Sequence, residues 1–226
     1  MTTAEKGPLW ARSYVGIART ADDRGAREHR RQLLANLNGR VVEIGAGQGA
    51  NFAHYPNSVT DVLAIEPEPF LRTLATSVAR DAPVPVTVVD GHAERVRAGD
   101  ASFDAAVVSL VLCSVPEQAA ALAEIRRVLK PGAELRFYEH VVSERAIPSA
   151  IMRLVDATFW PRVAGGCHCA RDTARAIERA GFTVTRIERF GFRATRFQPS
   201  VPHILGIARR EWHGRHSTRS SARSPY

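Results

Sequence analysis

A glycine-rich turn directly after an apolar run is the feature that most constrains this chain. Residues 41–51 read V-V-E-I-G-A-G-Q-G-A-N, with glycine at three alternate positions, Gly45, Gly47 and Gly49. Glycines placed in this way after a buried strand permit a left-handed backbone and remove the Cβ atoms that would keep a ligand off the main chain. A helix is expected to begin near Gln48 and to end before Pro56, so its free N–H groups would face the same ligand. The turn therefore predicts a loop that binds a cofactor.

Apolar runs and helical patterns alternate along the rest of the chain. The predicted strands are 40–44, 59–65, 86–89, 104–112, 134–140, 182–190 and 203–209. The predicted helices are 9–18, 25–37, 69–79, 116–129 and 171–180, and residues 143–166 are expected to be less regular. This alternation predicts an α/β fold with an open, mainly parallel sheet and helices on both faces. In such a sheet the ligand lies beyond the carboxyl ends of the strands.

The net charge of +8 is concentrated at the two ends of the chain. Five arginines and one glutamate follow Ala208, whereas the middle of the chain is nearly neutral. A basic end of this kind is typical of a solvated tail, and weak contact with an anionic membrane surface stays open as an alternative. No nucleic acid is expected as a partner. We predict three parts: 1–38 as leading helices and a candidate lid, 39–210 as the cofactor domain, and 211–226 as a basic tail without regular structure.

The cysteines and the apolar segments bear on localisation and on metal binding. Cys113, Cys167 and Cys169 are an odd number, which does not indicate a disulfide framework. No stretch approaches the roughly 18 apolar residues of a membrane helix, and the N-terminus lacks a signal-peptide pattern, so a cytoplasmic protein is expected. Cys167-His168-Cys169 offers three close ligands without a second paired set at zinc-site spacing. No metal site is predicted.

Glycine spacing alone leaves two kinds of cofactor open. Residues 45–50 satisfy the dinucleotide pattern, because alanine is allowed at its last place. Glu66 comes directly after the second predicted strand, about 20 residues beyond the glycine turn. In the dinucleotide pattern a carboxylate at this place accepts hydrogen bonds from ribose hydroxyls. Both features suit a nicotinamide cofactor as well as another adenosine-containing cofactor.

Several segments together carry a family resemblance. They are V-V-E-I-G-A-G-Q-G-A-N at 41–51, A-I-E-P at 64–67 and L-K-P-G-A-E-L at 129–135. With these motifs the chain resembles the class I S-adenosylmethionine-dependent methyltransferases from Arg40 to Arg209. S-L-V-L-C-S-V at 109–115, Y-E-H-V at 138–141, and G-G-C-H at 165–168 with R-D-T at 171–173 are similar to a methyltransferase-like subgroup that includes small-molecule thiol methyltransferases. The resemblance implies a Rossmann-like, doubly wound sheet of seven strands, mostly parallel with a final antiparallel strand.

The resemblance also implies roles for particular residues around S-adenosylmethionine and its product S-adenosylhomocysteine. Glu43 would stabilise the loop or the cationic side of the cofactor, and Glu66 would hold the ribose hydroxyls. His92 stands where the family usually offers an acidic residue to adenine, and Leu110 would face the sulfonium. The implied cofactor-binding residues are Glu43, Gly45, Ala46, Gly47, Gly49, Asn51, Glu66, Pro67, His92, Ala93 and Leu110.

On the acceptor side, methyl transfer chiefly requires alignment of the nucleophile and the methyl group in a dry pocket. A thiol acceptor would benefit from a base, for which His140 is the first candidate and His168 the second. Tyr14 and Cys113 are predicted to contact the acceptor. We expect a small-molecule thiol or heteroaromatic acceptor, with a phospholipid headgroup or a quinone precursor as alternatives. A nicotinamide oxidoreductase and a non-catalytic RNA- or membrane-binding module are the competing functions.

Overall fold

The computed structural model describes residues 8–144, 146–158, 160, 166–196 and 199–211. The strands are β1 Gly39–Ile44, β2 Val59–Ile65, β3 Val86–Val89, β4 Phe103–Ser109, β5 Leu129–His140, β6 Phe182–Phe192 and β7 Val201–Arg210. The helices are α1 Pro8–Ala21, α2 Arg27–Leu34, α3 Pro69–Val78, α4 Gln118–Val128, α5 Ala146–Thr158 and α6 Thr173–Arg179. A π-helical segment, Asp22–Ala26, joins α1 to α2, and Gly25 within it has a φ of 121°.

The seven strands form one sheet in the order β3-β2-β1-β4-β5-β7-β6. The pairs among β1 to β5 are parallel, whereas β7 runs antiparallel to both β5 and β6. The predicted α/β fold, mostly parallel with a final antiparallel strand, is thereby confirmed. The strand order reverses between β1 and β4, so the carboxyl ends of these two strands lie side by side and form the expected place for a ligand.

Apolar residues pack on both faces of the sheet. Alternate residues of β1 enter different layers, since Val42 packs with α4 and α6 residues while Val41 packs with the apolar end of α2. β4 does the same, with Val108 on the first face and Val107 on the second. Burial on two faces explains why these strands read as unbroken apolar runs.

The helix expected to begin near Gln48 does not form. Residues 48–51 make turns, and one 3-10 turn, Phe52–His54, follows them. Gly49 has a φ of 84°, which an α-helix does not accommodate, and its N–H donates back to the carbonyl of Ala46. The prediction of a helix after the glycines was wrong because their left-handed backbone continues into the segment assigned to the helix.

Three other boundaries differ from the sequence predictions. β4 ends at Ser109 instead of 112, because Leu110 has a φ of 59°. β5 begins at Leu129 instead of 134 and includes the Lys130-Pro131-Gly132 segment that follows the predicted helix. Helix α5 occupies part of the segment predicted to be irregular.

The outer parts of the chain are only partly described. Leu33, Leu34 and Leu37 at the end of α2 are buried in the sheet core. None of the helices within the described ranges combines the length and the apolar content needed to cross a membrane. The predicted tail at 211–226 lies outside the described residues apart from Glu211.

Candidate functional site

A cavity of about 550 Å³ opens at the carboxyl ends of β1, β2 and β4. Its wall is largely apolar and includes Tyr14 and Ile17 from α1, so this helix covers one side of the space. The polar side chains in the wall include Arg30, Glu66 and His140. An apolar cavity with a small number of placed polar groups is the usual form of a small-molecule site.

The glycine loop forms one edge of the cavity. Gly45 and Gly47 have φ values of 67° and 58°, and both line the cavity. A Cβ at Gly45 would lie 2.6 Å from a methyl carbon of Val111, and one at Gly47 would lie 3.4 Å from the Tyr14 hydroxyl. At Gly45 both the backbone and the space therefore require glycine, whereas at Gly47 the left-handed backbone is the constraint.

Glu66, directly after β2, holds this loop in position. The residue is 5% exposed, and its carboxylate accepts the Gly47 N–H at 2.7 Å and the Glu68 N–H at 2.9 Å. Burial raises the pKa of Glu66, and these backbone N–H groups oppose the shift. The same side chain lines the cavity. Each carboxylate oxygen has two lone pairs, so Glu66 retains acceptor capacity for a ligand.

A second buried carboxylate, Glu43, braces the loop from behind. It accepts the Asn51 side-chain amide at 2.8 Å and the Tyr55 hydroxyl at 2.7 Å. Asn51 in turn accepts from Arg30 at 3.1 Å, and Arg30 also contacts Ser109 at the end of β4. This network ties the glycine loop to α2 and β4. Burial raises the pKa of Glu43 to about 7, although the bonds from Tyr55 and Asn51 oppose the shift.

The raised pKa of Glu43 predicts a pH-dependent stability that glutamine should remove. In the unfolded chain the carboxyl ionises near 4.5, whereas in the folded protein it ionises near 7. The stabilisation that the raised pKa gives to the folded protein is therefore fully present below about pH 4.5 and is lost as the pH rises through 7. The full loss in the free energy of unfolding is about 3 kcal/mol. We expect the free energy of unfolding of Glu43→Gln, relative to the parent protein, to rise by about 2.5 kcal/mol between pH 5 and pH 8.

Urea unfolding curves at the two pH values measure this difference. Asp61→Asn is the matched control, because Asp61 is an exposed carboxylate on the neighbouring strand β2 and pairs with Arg40. Its relative stability should change little between the same pH values. A constant difference for Glu43→Gln would show that Glu43 is ionised throughout this range.

The segment after β4 forms the opposite edge of the cavity in a strained conformation. Leu110 has a φ of 59°, a value that is rare for a non-glycine residue. Its N–H donates to the carbonyl of Tyr138 at 2.7 Å. The fully buried carboxylate of Glu139 accepts three successive N–H groups, from Val111 at 2.9 Å, Leu112 at 3.0 Å and Cys113 at 3.1 Å. Burial raises the pKa of Glu139 to about 7, and these N–H groups oppose the shift. Glu139 thus determines the path of the segment.

Arg171 fastens the same segment from the other side. Its guanidinium donates to the carbonyls of Leu112 and Val115, each at 2.7 Å. The R-D-T motif noted in the sequence therefore positions the segment after β4, and Asp172 of that motif caps α6 by accepting the Arg175 N–H. A strained segment held by so many bonds is typical of a functional site.

Two thiols and one imidazole come together in the cavity wall. Cys113 follows β4, His140 ends β5, and Cys167 lies in the segment 166–172, which precedes α6. The His140 Nδ1 lies 3.3 Å from the Cys167 Sγ and 3.8 Å from the Cys113 Sγ, and all three atoms lie within 4.8 Å of one another. The bond from the Cys113 thiol, followed by that from His140, lowers the pKa of Cys167 against the effect of burial. All three residues line the cavity.

Most predicted site residues lie on the cavity wall. They are Tyr14, Gly45, Gly47, Glu66, Pro67, His92, Ala93, Leu110, Cys113 and His140. His92 is exposed at the rim, and Asp90, an acidic residue two positions before it, pairs with Arg72 at 2.9 Å. The hydroxyl of Tyr138, a wall residue that sequence reasoning did not select, is buried without a hydrogen-bond partner in the described part of the chain.

Five predicted residues lie off the cavity wall. Glu43 and Asn51 bond to each other behind the loop, Ala46 is buried in the core, and a Cβ at Gly49 would lie 2.8 Å from the Phe52 ring. These four are not among the residues that line the cavity. Glu43 has the loop-stabilising contacts that were one of its two expected roles, and cofactor contact by the other three stays a prediction. The fifth, His168, hydrogen-bonds through Nδ1 to Asp156 at 2.9 Å and is not among the residues that line the cavity.

Comparisons with known proteins agree with this arrangement. A family model described as a methyltransferase domain matches residues 42–137. Thiol S-methyltransferase TMT1B of Rattus norvegicus is 34% identical over 171 residues, which cover 74% of this chain and 69% of the relative. The chain belongs to the class I S-adenosylmethionine-dependent methyltransferases.

Two further likenesses extend the comparison. Human thiol S-methyltransferase TMT1A is 33% identical over 190 residues, which cover 79% of this methyltransferase and 77% of the relative. A solved S-adenosylmethionine-dependent methyltransferase from Methanosarcina mazei superposes with a TM-score of 0.62 at 19% identity, and the match covers 80% of this chain and 96% of that one. The structural likeness bears on the fold alone.

The residues of the methyltransferase fit S-adenosylmethionine. Gly45 and Gly47 line the cavity without Cβ atoms, and the buried Glu66 offers a carboxylate beside them. When bound, S-adenosylmethionine supplies a methyl group activated by a positively charged sulfur. The protein itself provides a largely apolar wall and a fixed loop on each side of the β1–β4 junction.

Proposed function

We propose that this methyltransferase transfers the methyl group to the sulfur of small, largely apolar thiols. The observation that carries the proposal is the cluster of Cys113, His140 and Cys167 in an otherwise mostly apolar wall. Sulfur and imidazole are soft, polarizable partners that suit a thiol sulfur better than a hard oxygen acceptor. The relatives named thiol S-methyltransferases support the same acceptor class.

The cofactor is proposed to lie between the glycine loop and the end of β4. Glu66 would accept hydrogen bonds from ribose hydroxyls, and His92 and Ala93 would lie along the adenine. Leu110 would face the activated methyl group from the end of β4. This assignment rests on the position of these residues around one cavity and on the family to which the chain belongs.

The acceptor is proposed to enter beside α1. Tyr14 lies between the acceptor space and the glycine loop, since a Cβ at Gly47 would contact its hydroxyl, and its ring stacks on Trp10 at 5.4 Å. Because residues of α1 line the cavity, helix α1 is proposed to act as the lid expected of residues 1–38. Exclusion of water by such a cover favours transfer to the acceptor over side reactions.

A matched panel of acceptors tests the proposed function. An alkyl thiol, the alcohol and amine of the same carbon skeleton, a phospholipid and a quinol are each incubated with protein and S-adenosylmethionine, and products are identified by mass. We expect kcat/KM for the thiol to exceed that of the matched alcohol by about 100-fold or more, because only the thiol ionises appreciably near neutral pH. Faster transfer to the headgroup or the quinol would replace the thiol by that acceptor.

The three unpaired cysteines also favour a reducing compartment, so the cytoplasm is the proposed location. Cell fractionation that found the protein in a secreted or lumenal fraction would contradict this. The basic tail adds at most a weak contact with an anionic membrane surface in this proposal.

A further inference from the structure

We propose that Cys113, His140 and Cys167 bind one Zn²⁺ ion whose fourth coordination position faces the cavity. The thiol acceptor would bind the metal at that position as a thiolate, and this role of the metal rests on the proposed function. The metal site itself is independent of the acceptor. It differs from the Cys167-His168-Cys169 grouping considered in the sequence, because only Cys167 belongs to both.

The distances match a tetrahedral zinc centre. Zinc bonds to sulfur at about 2.3 Å and to imidazole nitrogen at about 2.0–2.1 Å, so two tetrahedral ligands, one sulfur and one nitrogen, lie about 3.6 Å apart. The two nitrogen–sulfur distances here, 3.3 and 3.8 Å, lie on either side of that value. One ion would therefore satisfy all three ligand atoms with small movements.

The ligand chemistry also selects the metal. Two thiols converge on the same imidazole nitrogen, which has a single lone pair and can accept from only one of them. A set of two thiolates and one imidazole binds Zn²⁺ in preference to the hard ions Mg²⁺ and Ca²⁺. The alternative without metal is a proton-sharing network in which one thiolate accepts from both the other thiol and the imidazole, and the test below separates the two.

The ligands are held by surrounding bonds, as in known metal sites. The N–H of Cys113 donates to Glu139 at 3.1 Å, and its carbonyl accepts the His168 N–H at 2.7 Å, which fastens the Cys167 loop to the segment after β4. The His140 ring packs edge-on against the His203 ring at a centroid distance of 4.4 Å. The segment of each ligand is therefore held by at least one hydrogen bond or ring contact outside the cluster.

The fourth position is left to the cavity. Within the described ranges no fourth histidine, cysteine or carboxylate joins the group, and all three ligands line the cavity. Three protein ligands with one open position are typical of catalytic zinc, whereas structural zinc has four protein ligands. Residues Cys113, His140 and Cys167 thus form a site for a metal-bound second reactant.

Zinc would generate the nucleophile without a separate base. A thiol R–SH that takes the fourth position loses its proton to solvent, because coordination lowers its pKa. The sulfur electron pair forms the new S–CH₃ bond, while the S–CH₃ bond of the donor breaks and leaves its electron pair on the donor sulfur. Negative thiolate and positive sulfonium give two neutral thioethers, and the methylated product, a weak ligand, leaves the metal. His140 is then a ligand and not the base predicted from the sequence.

Metal binding is measured first on the full chain. Protein freed of metal by a chelator is titrated with Zn²⁺, and Co²⁺ replaces it for absorption spectra. We expect one equivalent of metal, tetrahedral Co²⁺ bands and thiolate charge-transfer bands. Cys167→Ser should weaken Zn²⁺ binding by about 100-fold or more, since one thiolate ligand is lost. The matched control is Cys169→Ser, because its sulfur lies outside the cluster, 3.9 Å from the Met152 carbonyl, and this variant should bind as the parent does.

Coordination of the thiol acceptor to the metal is tested on the Co²⁺ protein. Adding an alkyl thiol should strengthen the charge-transfer bands, and the matched alcohol should not. Absence of stoichiometric binding, or equal binding by Cys167→Ser, overturns the metal site. Full thiol methylation by metal-free protein overturns the role of zinc while the proposed function stands. Zinc binding without any thiol methylation overturns the proposed function and the coordination of a thiol acceptor to the metal, and leaves the metal site in place.

Discussion

Replacing Glu139 by alanine is expected to lower the free energy of unfolding by about 5 kcal/mol. The carboxylate accepts the N–H groups of Val111, Leu112 and Cys113 and is fully buried. Alanine leaves these donors without a partner, and each unsatisfied buried donor costs about 1–3 kcal/mol. The strained Leu110 backbone also loses the bonds that hold it. Urea unfolding at pH 7 measures the change.

Two further variants make this result specific. Glu139→Gln keeps one acceptor oxygen and should lose less stability than the alanine variant. Glu117→Ala removes an exposed carboxylate that makes no side-chain cap bond to α4, and it should change stability by no more than about 0.5 kcal/mol. A loss below about 2 kcal/mol for Glu139→Ala would show that the segment after β4 is held mainly by other contacts, such as those of Arg171.

The sheet was predictable from the sequence because its central strands are buried on both faces. Val59–Ile65 and Val86–Val89 have the predicted bounds, and the reversal of strand order follows from parallel pairing with helical crossovers. The glycine loop and Glu66 were also predictable, since a ligand-binding turn at the end of the first strand has a local pattern. These features depend on residues that are close in sequence.

The acceptor side was less predictable because it depends on contacts across the chain. Cys113 and His140 were selected separately, as an acceptor contact and as a base, but Cys167 joins them from a loop 27 residues after His140. Glu139 was quoted only as part of a family segment, although it determines the path of three residues. The positive φ of Leu110 has no local sequence signal, because glycine is the residue that normally marks such a position.

Three buried carboxylates share one structural role. Glu43, Glu66 and Glu139 each lie at or near the carboxyl end of a strand and accept hydrogen bonds from the residues of a nearby loop. Burial raises the pKa of each, so the fold gives up stability at these positions. What it gains is fixed placement of the two loops that border the cavity. Of the three, Glu66 alone also lines the cavity.

Glu66→Ala should therefore weaken binding of S-adenosylmethionine more than its effect on folding explains. Two hydrogen bonds from ribose hydroxyls to a carboxylate would be lost at about 1.5 kcal/mol or more each, which raises the Kd by about 100-fold or more. Calorimetric titration with S-adenosylhomocysteine measures the Kd, and urea unfolding verifies that the variant is folded. Asp61→Ala removes an exposed carboxylate from β2, the strand that precedes Glu66, and should leave the Kd within about twofold, since an exposed ion pair contributes little. A folded Glu66→Ala protein with a nearly unchanged Kd would remove Glu66 from the cofactor site and leave it only the support of the Gly47 backbone.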